Sequence, residues 1–96
     1  MADKCNMKGF LEFQVLALIG KNNISGNGIR NEIAKRRGCK PSPGTIYPVL
    51  KELQNKNFIV IKGKSHKEIK YTLTLKGKKE LNLNKKLFKA MFNGIL

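Results

Sequence analysis

Hydrogen bonding and positive charge are the chemistry open to this sequence. Thr45, Tyr47 and Lys51 stand in the stretch Ser42-Pro43-Gly44-Thr45-Ile46-Tyr47-Pro48-Val49-Leu50-Lys51-Glu52-Leu53. Their hydroxyl and ammonium groups match the donors and acceptors that base edges present in the major groove. Lys62, Lys64 and Lys67 crowd one short turn, and Arg36, Arg37 and Lys40 precede the first stretch. Groups of this kind neutralise phosphates and set register on a duplex. A single lysine is by default a solvated charge. Clustering at one turn is what points to a polyanionic backbone.

Covalent chemistry is poorly supplied. His66, the one histidine, sits among lysines in that turn, where an exposed residue is the default. The chain shows no paired carboxylates, nucleophile elbow, P-loop or GxGxxG. Cys5, Cys39 and His66 are far apart and lack CxxC or HxxxH spacing. We expect no catalysis, no metal and no cofactor. Two cysteines make no disulfide framework, so free thiols are expected, with a bridge between the Cys5 residues of two copies as the alternative.

The composition bounds the partner. Twenty basic and six acidic residues give a net charge of +14 in 96 residues, favouring nucleic acid first and an anionic membrane second. Residues 58–96 hold ten lysines against Glu68 and Glu80, a net +8. A hydrophobic fraction of 41% suits a globular fold. No apolar run approaches the ~18–20 residues of a membrane span, and no secretory signal is seen. We expect one domain over 1–96, in the cytoplasm of a cell or host, with dimerisation helping a small core.

The elements follow from periodicity. From Met7 to Gly20, Leu11, Val15, Leu18 and Ile19 make one helical stripe and Phe10, Phe13 and Ala17 another. Ile24 suits a short strand. Ser25 or Asn27 can cap a helix over 26–37 that buries Ile29, Ile33 and Ala34. Gly38 to Pro41 turns the chain into a helix over about 42–56. Ser42 is its expected cap, Pro43 suits the first helical position, and Ile46, Val49, Leu50 and Leu53 form its inner stripe. Pro48 cannot donate to the carbonyl four residues back, so this helix should start late, near Thr45, or be distorted. Asn57 suits the left-handed residue after it.

Phe58 to Ile61 then reads as a buried strand. Residues 62–67 read as a basic turn. Ile69, Tyr71, Leu73 and Leu75 alternate with polar residues as a strand buried on one face. Thr74 can cap a last helix, about 75–92, with Leu81, Leu87, Phe88, Met91 and Phe92 on its apolar side and lysines elsewhere. The fold expected is mainly α with a small β-hairpin, a winged helix-turn-helix. The recognition helix lies at about 42–56 and the basic wing at 62–67. The first and last helices carry more apolar surface than one buried face needs. Phe10, Phe13, Leu87, Phe88, Met91 and Phe92 therefore belong either to intramolecular core or to a homodimer interface, and we expect the homodimer.

Three segments carry a resemblance: Ile24-Ser25-Gly26-x-x-Ile29, Pro41-Ser42-Pro43-Gly44-Thr45-Ile46-Tyr47-Pro48-Val49-Leu50-Lys51-x-Leu53, and Tyr71-x-Leu73-Thr74-x-x-Gly77. Over about residues 8–82 the chain resembles the PadR family of transcriptional regulators. The resemblance implies a winged-helix DNA-binding domain, usually a repressor, dimerised through its first and C-terminal helices. It places Ser42, Gly44, Thr45, Tyr47 and Pro48 on or beside operator DNA. Asn57 stands where glycine is usual, and one C-terminal helix replaces the longer domain of some members. Some members bind drug-like or phenolic ligands in a dimer cavity. This chain has no Trp, and a small-molecule effector is unsupported. The alternatives to a sequence-specific repressor are a non-specific nucleic-acid packaging protein and a winged-helix interaction module without DNA binding.

Overall fold

The structure is a computed structural model that describes residues 8–65 and 68–95. The polar N-terminus expected at 1–6, with Cys5, and the wing-tip residues His66 and Lys67 lie outside the described residues. In chain order the elements are α1 (Lys8–Lys21), β1 (Ile24–Ser25), α2 (Gly26–Arg37), α3 (Pro43–Asn55), β2 (Ile59–Ser65), β3 (Glu68–Leu73) and α4 (Leu75–Phe92). The strands form one antiparallel sheet in the order β1-β3-β2. This is the mainly helical winged fold that the periodicity implied. The hairpin gains a third strand, because Ile24 and Ser25 pair with Tyr71 and Lys70.

Local chemistry fixes the helix ends. Ser25 Oγ accepts from the Gly28 N–H at 3.0 Å, capping α2. Thr74 Oγ1 accepts from the Gly77 N–H at 3.0 Å and donates to the Asn57 carbonyl at 2.6 Å. One hydroxyl thus ties the start of α4 to the end of α3. Asn57 adopts the expected left-handed conformation, with φ of 63°. Around it the Phe58 N–H donates to the Leu53 carbonyl and the Asn57 N–H to that of Gln54, closing α3 with two bonds. Gly77 lies so close to Phe58 that a Cβ there would run into the Phe58 carbonyl.

Ser42 departs from expectation. It makes no side-chain cap; its Oγ lies 3.2 Å from Thr45 Oγ1. The backbone does the capping, since the Ser42 carbonyl accepts from the Thr45 and Ile46 N–H groups at 3.0 and 3.1 Å. Of the two outcomes expected from Pro48, a late start near Thr45 or a distorted first turn, the late start is not seen: α3 begins at Pro43 and includes Pro48. Gly44 and Pro48 are both exposed, so water can satisfy the carbonyl that Pro48 leaves without a donor.

The core is one cluster. Leu11, Val15, Leu16, Leu18 and Ile19 of α1 meet Ile29 and Ile33 of α2 and the whole expected α3 stripe, Ile46, Val49, Leu50 and Leu53. Ile59, Tyr71 and Leu81 close it. Leu16 belonged to neither expected stripe. The strands correct the sequence reading more strongly. Of the run Phe58 to Ile61 only Ile59 is buried, and Val60 and Ile61 are exposed. Val60 follows Ile59 and so points to the opposite face of the sheet, and β2 continues past Ile61 to Ser65. Lys62, Gly63 and Lys64 are therefore strand residues. Ile61 faces Tyr71 and Gly63 faces Lys70, leaving Lys62 as a bulge. Ile69 and Leu75 are exposed rather than buried, Leu75 as the first residue of α4.

Cys39, expected as a free thiol, is disulfide-bonded. Among the described residues no helix is long and apolar enough to cross a membrane.

Candidate nucleic-acid interface

The outer face of α3 is a stripe. Gly44, Tyr47, Pro48, Lys51 and Asn55 are exposed at i, i+3, i+4, i+7 and i+11, opposite the four buried residues. The stripe is level and carries one ammonium, one phenol and one amide. Thr45 does not share it. At six positions from Lys51 it lies about 120° away around the helix, half-buried and engaged with Ser42. Asn55, four residues beyond Lys51, completes the stripe.

The turn before α3 aims the stripe. Gly38 takes φ of 73° and donates to the Ala34 carbonyl, ending α2. Arg30 Nε then donates to the Pro41 carbonyl at 2.8 Å while Nη1 donates to Asn27 Oδ1 at 2.9 Å. Arg30 thus fastens α2 to the segment leading into α3. Nothing in its sequence position separated it from the other basic residues of that helix.

Tyr47 joins three elements. Its ring lies over the first turn of α2, where a Cβ at Gly26 would come within 2.9 Å of it. It also borders a small cleft of about 100 Å³ together with Glu68, Ile69 and Tyr71 of the wing. Burial, and secondarily the charge Tyr47 would carry, push the Tyr71 phenol above its ordinary pKa. The outer stripe of α3 is therefore seated, through Tyr47, against both α2 and the wing.

The flanking cations divide. Lys40, Lys62 and Lys64 are exposed beside the stripe and on β2, and Ser42 is exposed at the start of α3. Arg36 Nε lies 3.6 Å from Glu32, which also pairs with Lys35 at 3.8 Å, so part of its charge is offset. Arg37, expected to neutralise phosphate, is half-buried and lines a cleft with Phe10, Phe13, Ala17 and Phe88. Lys67 lies outside the described residues.

The aromatic residues of α1 and α4 form one cluster. Phe88 is its centre, with ring centroids 6.0 Å from Phe10, 5.9 Å from Phe13 and 4.7 Å from Phe92. Phe13, Phe88 and Phe92 are half-buried by these contacts within the chain. Phe10, Leu87 and Met91 remain exposed, and Leu83 joins them one turn before Leu87. An open groove of about 460 Å³ runs beside this cluster. Among the described residues no three potential ligands cluster as a metal site.

A tight helix pair, an exposed polar stripe on its second helix and a basic hairpin define a winged helix-turn-helix of the DNA-binding regulator class. The chain belongs to the PadR-like family of transcriptional regulators, whose family model matches residues 15–83. These are regulators rather than enzymes. No curated protein sequence matches the chain. A PadR-like transcription factor from Bacteroides fragilis superposes with a TM-score of 0.79 at 26% identity, covering 88% of this chain and 84% of that one. A PadR-like transcriptional regulator from Bacillus cereus gives 0.78 at 28% identity, covering 88% and 86%. Bacillus subtilis PadR in complex with operator DNA gives 0.66 at 32% identity, over 76% of this chain and 46% of that protein.

Proposed function

We propose that this protein is a sequence-specific, homodimeric repressor. It would insert α3 into a major groove and lay the β2–β3 wing on the neighbouring backbone. The observation that carries this reading is the exposed stripe Gly44, Tyr47, Pro48, Lys51 and Asn55, held level by Arg30 and Tyr47. Gly44 and Pro48 let the helix approach closely, Lys51 and Asn55 supply donors to base edges, and Tyr47 adds a phenol. Ser42 and Thr45 stand at the entrance, near a phosphate. Lys40, Lys62 and Lys64 neutralise the backbone, and Arg36 adds to them when Glu32 releases it. The operator complex of the B. subtilis relative supports the mode of binding.

Dimerisation uses α1 and α4. Apart from Leu75 at the start of α4, Phe10, Leu83, Leu87 and Met91 are the large apolar side chains left uncovered there among the described residues, and a second copy seated on them buries both sets at once. Phe13, Phe88 and Phe92 back that surface from within. Two recognition helices then meet half-sites about one turn apart, ~34 Å, or a multiple of it. A dimer on promoter DNA excludes other proteins from it, hence repression. The protein acts in the compartment that holds the DNA.

The net charge of +14 favours the competing reading, a sequence-independent coating protein. Selection of bound sequences from random duplexes separates the two. A two-fold consensus bound about a thousandfold tighter than scrambled DNA is the expected result. Equal affinity for both would make the protein a packaging factor. Failure to bind either would leave an interaction module.

A further inference from the structure

The lysines of α4 are not explained by the recognition face. Helix α4 carries six lysines against one glutamate, and its three sides are distinct. Leu81, Phe88 and Phe92 face the molecule, and Leu83, Leu87 and Met91 form the exposed apolar stripe. Lys78, Asn82, Lys85 and Lys89 are exposed at i, i+4, i+7 and i+11, a third stripe with Lys86 beside it. The described ion pairs use Glu12, Glu32 and Glu52, and none reaches these lysines. Lys78 and Lys85, with Lys21 at the end of α1, line an open cleft of about 600 Å³ whose other polar walls are Asn22, Asn23, Asn82 and Thr72. No residue of α2, α3 or β2 contributes to it.

We propose that this groove is a second, sequence-independent nucleic-acid contact, which lets a protein bound through α3 hold another duplex segment. From Lys78 to Lys89 the stripe runs about 16 Å along the helix, matching about five base pairs at ~3.4 Å each. Lysines supply point charges for phosphate oxygens, and the asparagines and Thr72 supply neutral hydrogen-bonding groups that suit the sugar–phosphate chain. The concave shape fits a strand better than a flat bilayer. The apolar stripe of α4 lies on a different side of the helix, so a second copy and a second duplex can bind together. The inference rests on the nucleic-acid reading above but not on its sequence specificity.

The test uses the full chain bound to a bead-held duplex and offered a second, labelled duplex of unrelated sequence at low salt. The variant Lys78→Gln/Lys85→Gln/Lys89→Gln should keep its affinity for the first duplex within about threefold and lose capture of the second by about tenfold or more. A charge-matched control, Lys35→Gln/Lys56→Gln/Lys76→Gln, lies off the groove and should capture normally. Wild-type protein that binds one duplex and never captures another overturns the proposal and leaves the proposed function standing. Wild-type protein that binds no duplex overturns both. Equal loss of capture in the groove variant and the control would mean that bulk charge, and not this groove, holds the second duplex. Capture unchanged in the groove variant, with loss only of its binding to phosphatidylserine vesicles, would assign the stripe to membrane and overturn the proposal.

Discussion

One hydrogen atom is all that Gly77 has room for. A methyl group there meets the Phe58 carbonyl, which is backbone and held by the end of α3. Gly77→Ala should lower stability by about 1–3 kcal/mol in urea unfolding. Gly63→Ala, with nothing within 4 Å of the new methyl, should shift the midpoint far less. Equal midpoints would contradict the close approach. Tyr71 gives a test in pH. Burial favours its neutral phenol, so the folded-state pKa exceeds the unfolded value of 10.0. Above pH 10 the folded chain holds the proton longer, and stability should fall as pH rises. Below that it is unaffected. Tyr71→Phe should remove that part of the decline, and an identical profile in both proteins would refute it. At this scale the sequence was readable where one residue decides the outcome, as at Ser25, Asn57 and Thr74. Ser42 was misread because its hydroxyl chose a neighbouring hydroxyl over the backbone. Arg30 was missed because its partner, the Pro41 carbonyl, is a backbone atom eleven residues away.

Among the elements, α3 was legible and β2 was not. The α3 stripe repeats at 3.6 residues, and its four inner positions are all buried. The run Phe58-Ile59-Val60-Ile61 is apolar throughout and has no periodicity to say which side is covered. The wing is longer than expected, and Lys62 and Lys64 ride on paired backbone. Such a wing holds its charges in place. Lys64→Ala should weaken binding by a similar factor on every DNA sequence. In a dimer it should also reduce the slope of log K against log salt by ~2, about one per subunit. A loss confined to one sequence, with an unchanged slope, would make Lys64 a base reader and the wing assignment wrong.

At the scale of the whole molecule, the proposed dimer rests on the apolar surfaces of α1 and α4. The apolar surplus of α1 and α4 was visible in the sequence, but its division was not. Phe88 packs in the chain's own aromatic cluster, while Leu87 and Met91, 52% and 65% exposed, are left uncovered. Periodicity marks a side chain as apolar and cannot say which chain covers it. Leu87→Asp should therefore give a folded monomer in sedimentation at micromolar concentration, with weaker binding to a two-fold site. A variant that stays dimeric would move the interface elsewhere. The central claim is that α3 reads bases, and Lys51 tests it most directly. Binding of Lys51→Ala should be measured on the selected site and on its scrambled counterpart across a salt series. The account predicts a loss of ~1–3 kcal/mol for each base contact removed on the selected site and much less on scrambled DNA. Equal weakening on both duplexes would contradict it, leaving α3 as one more cationic surface.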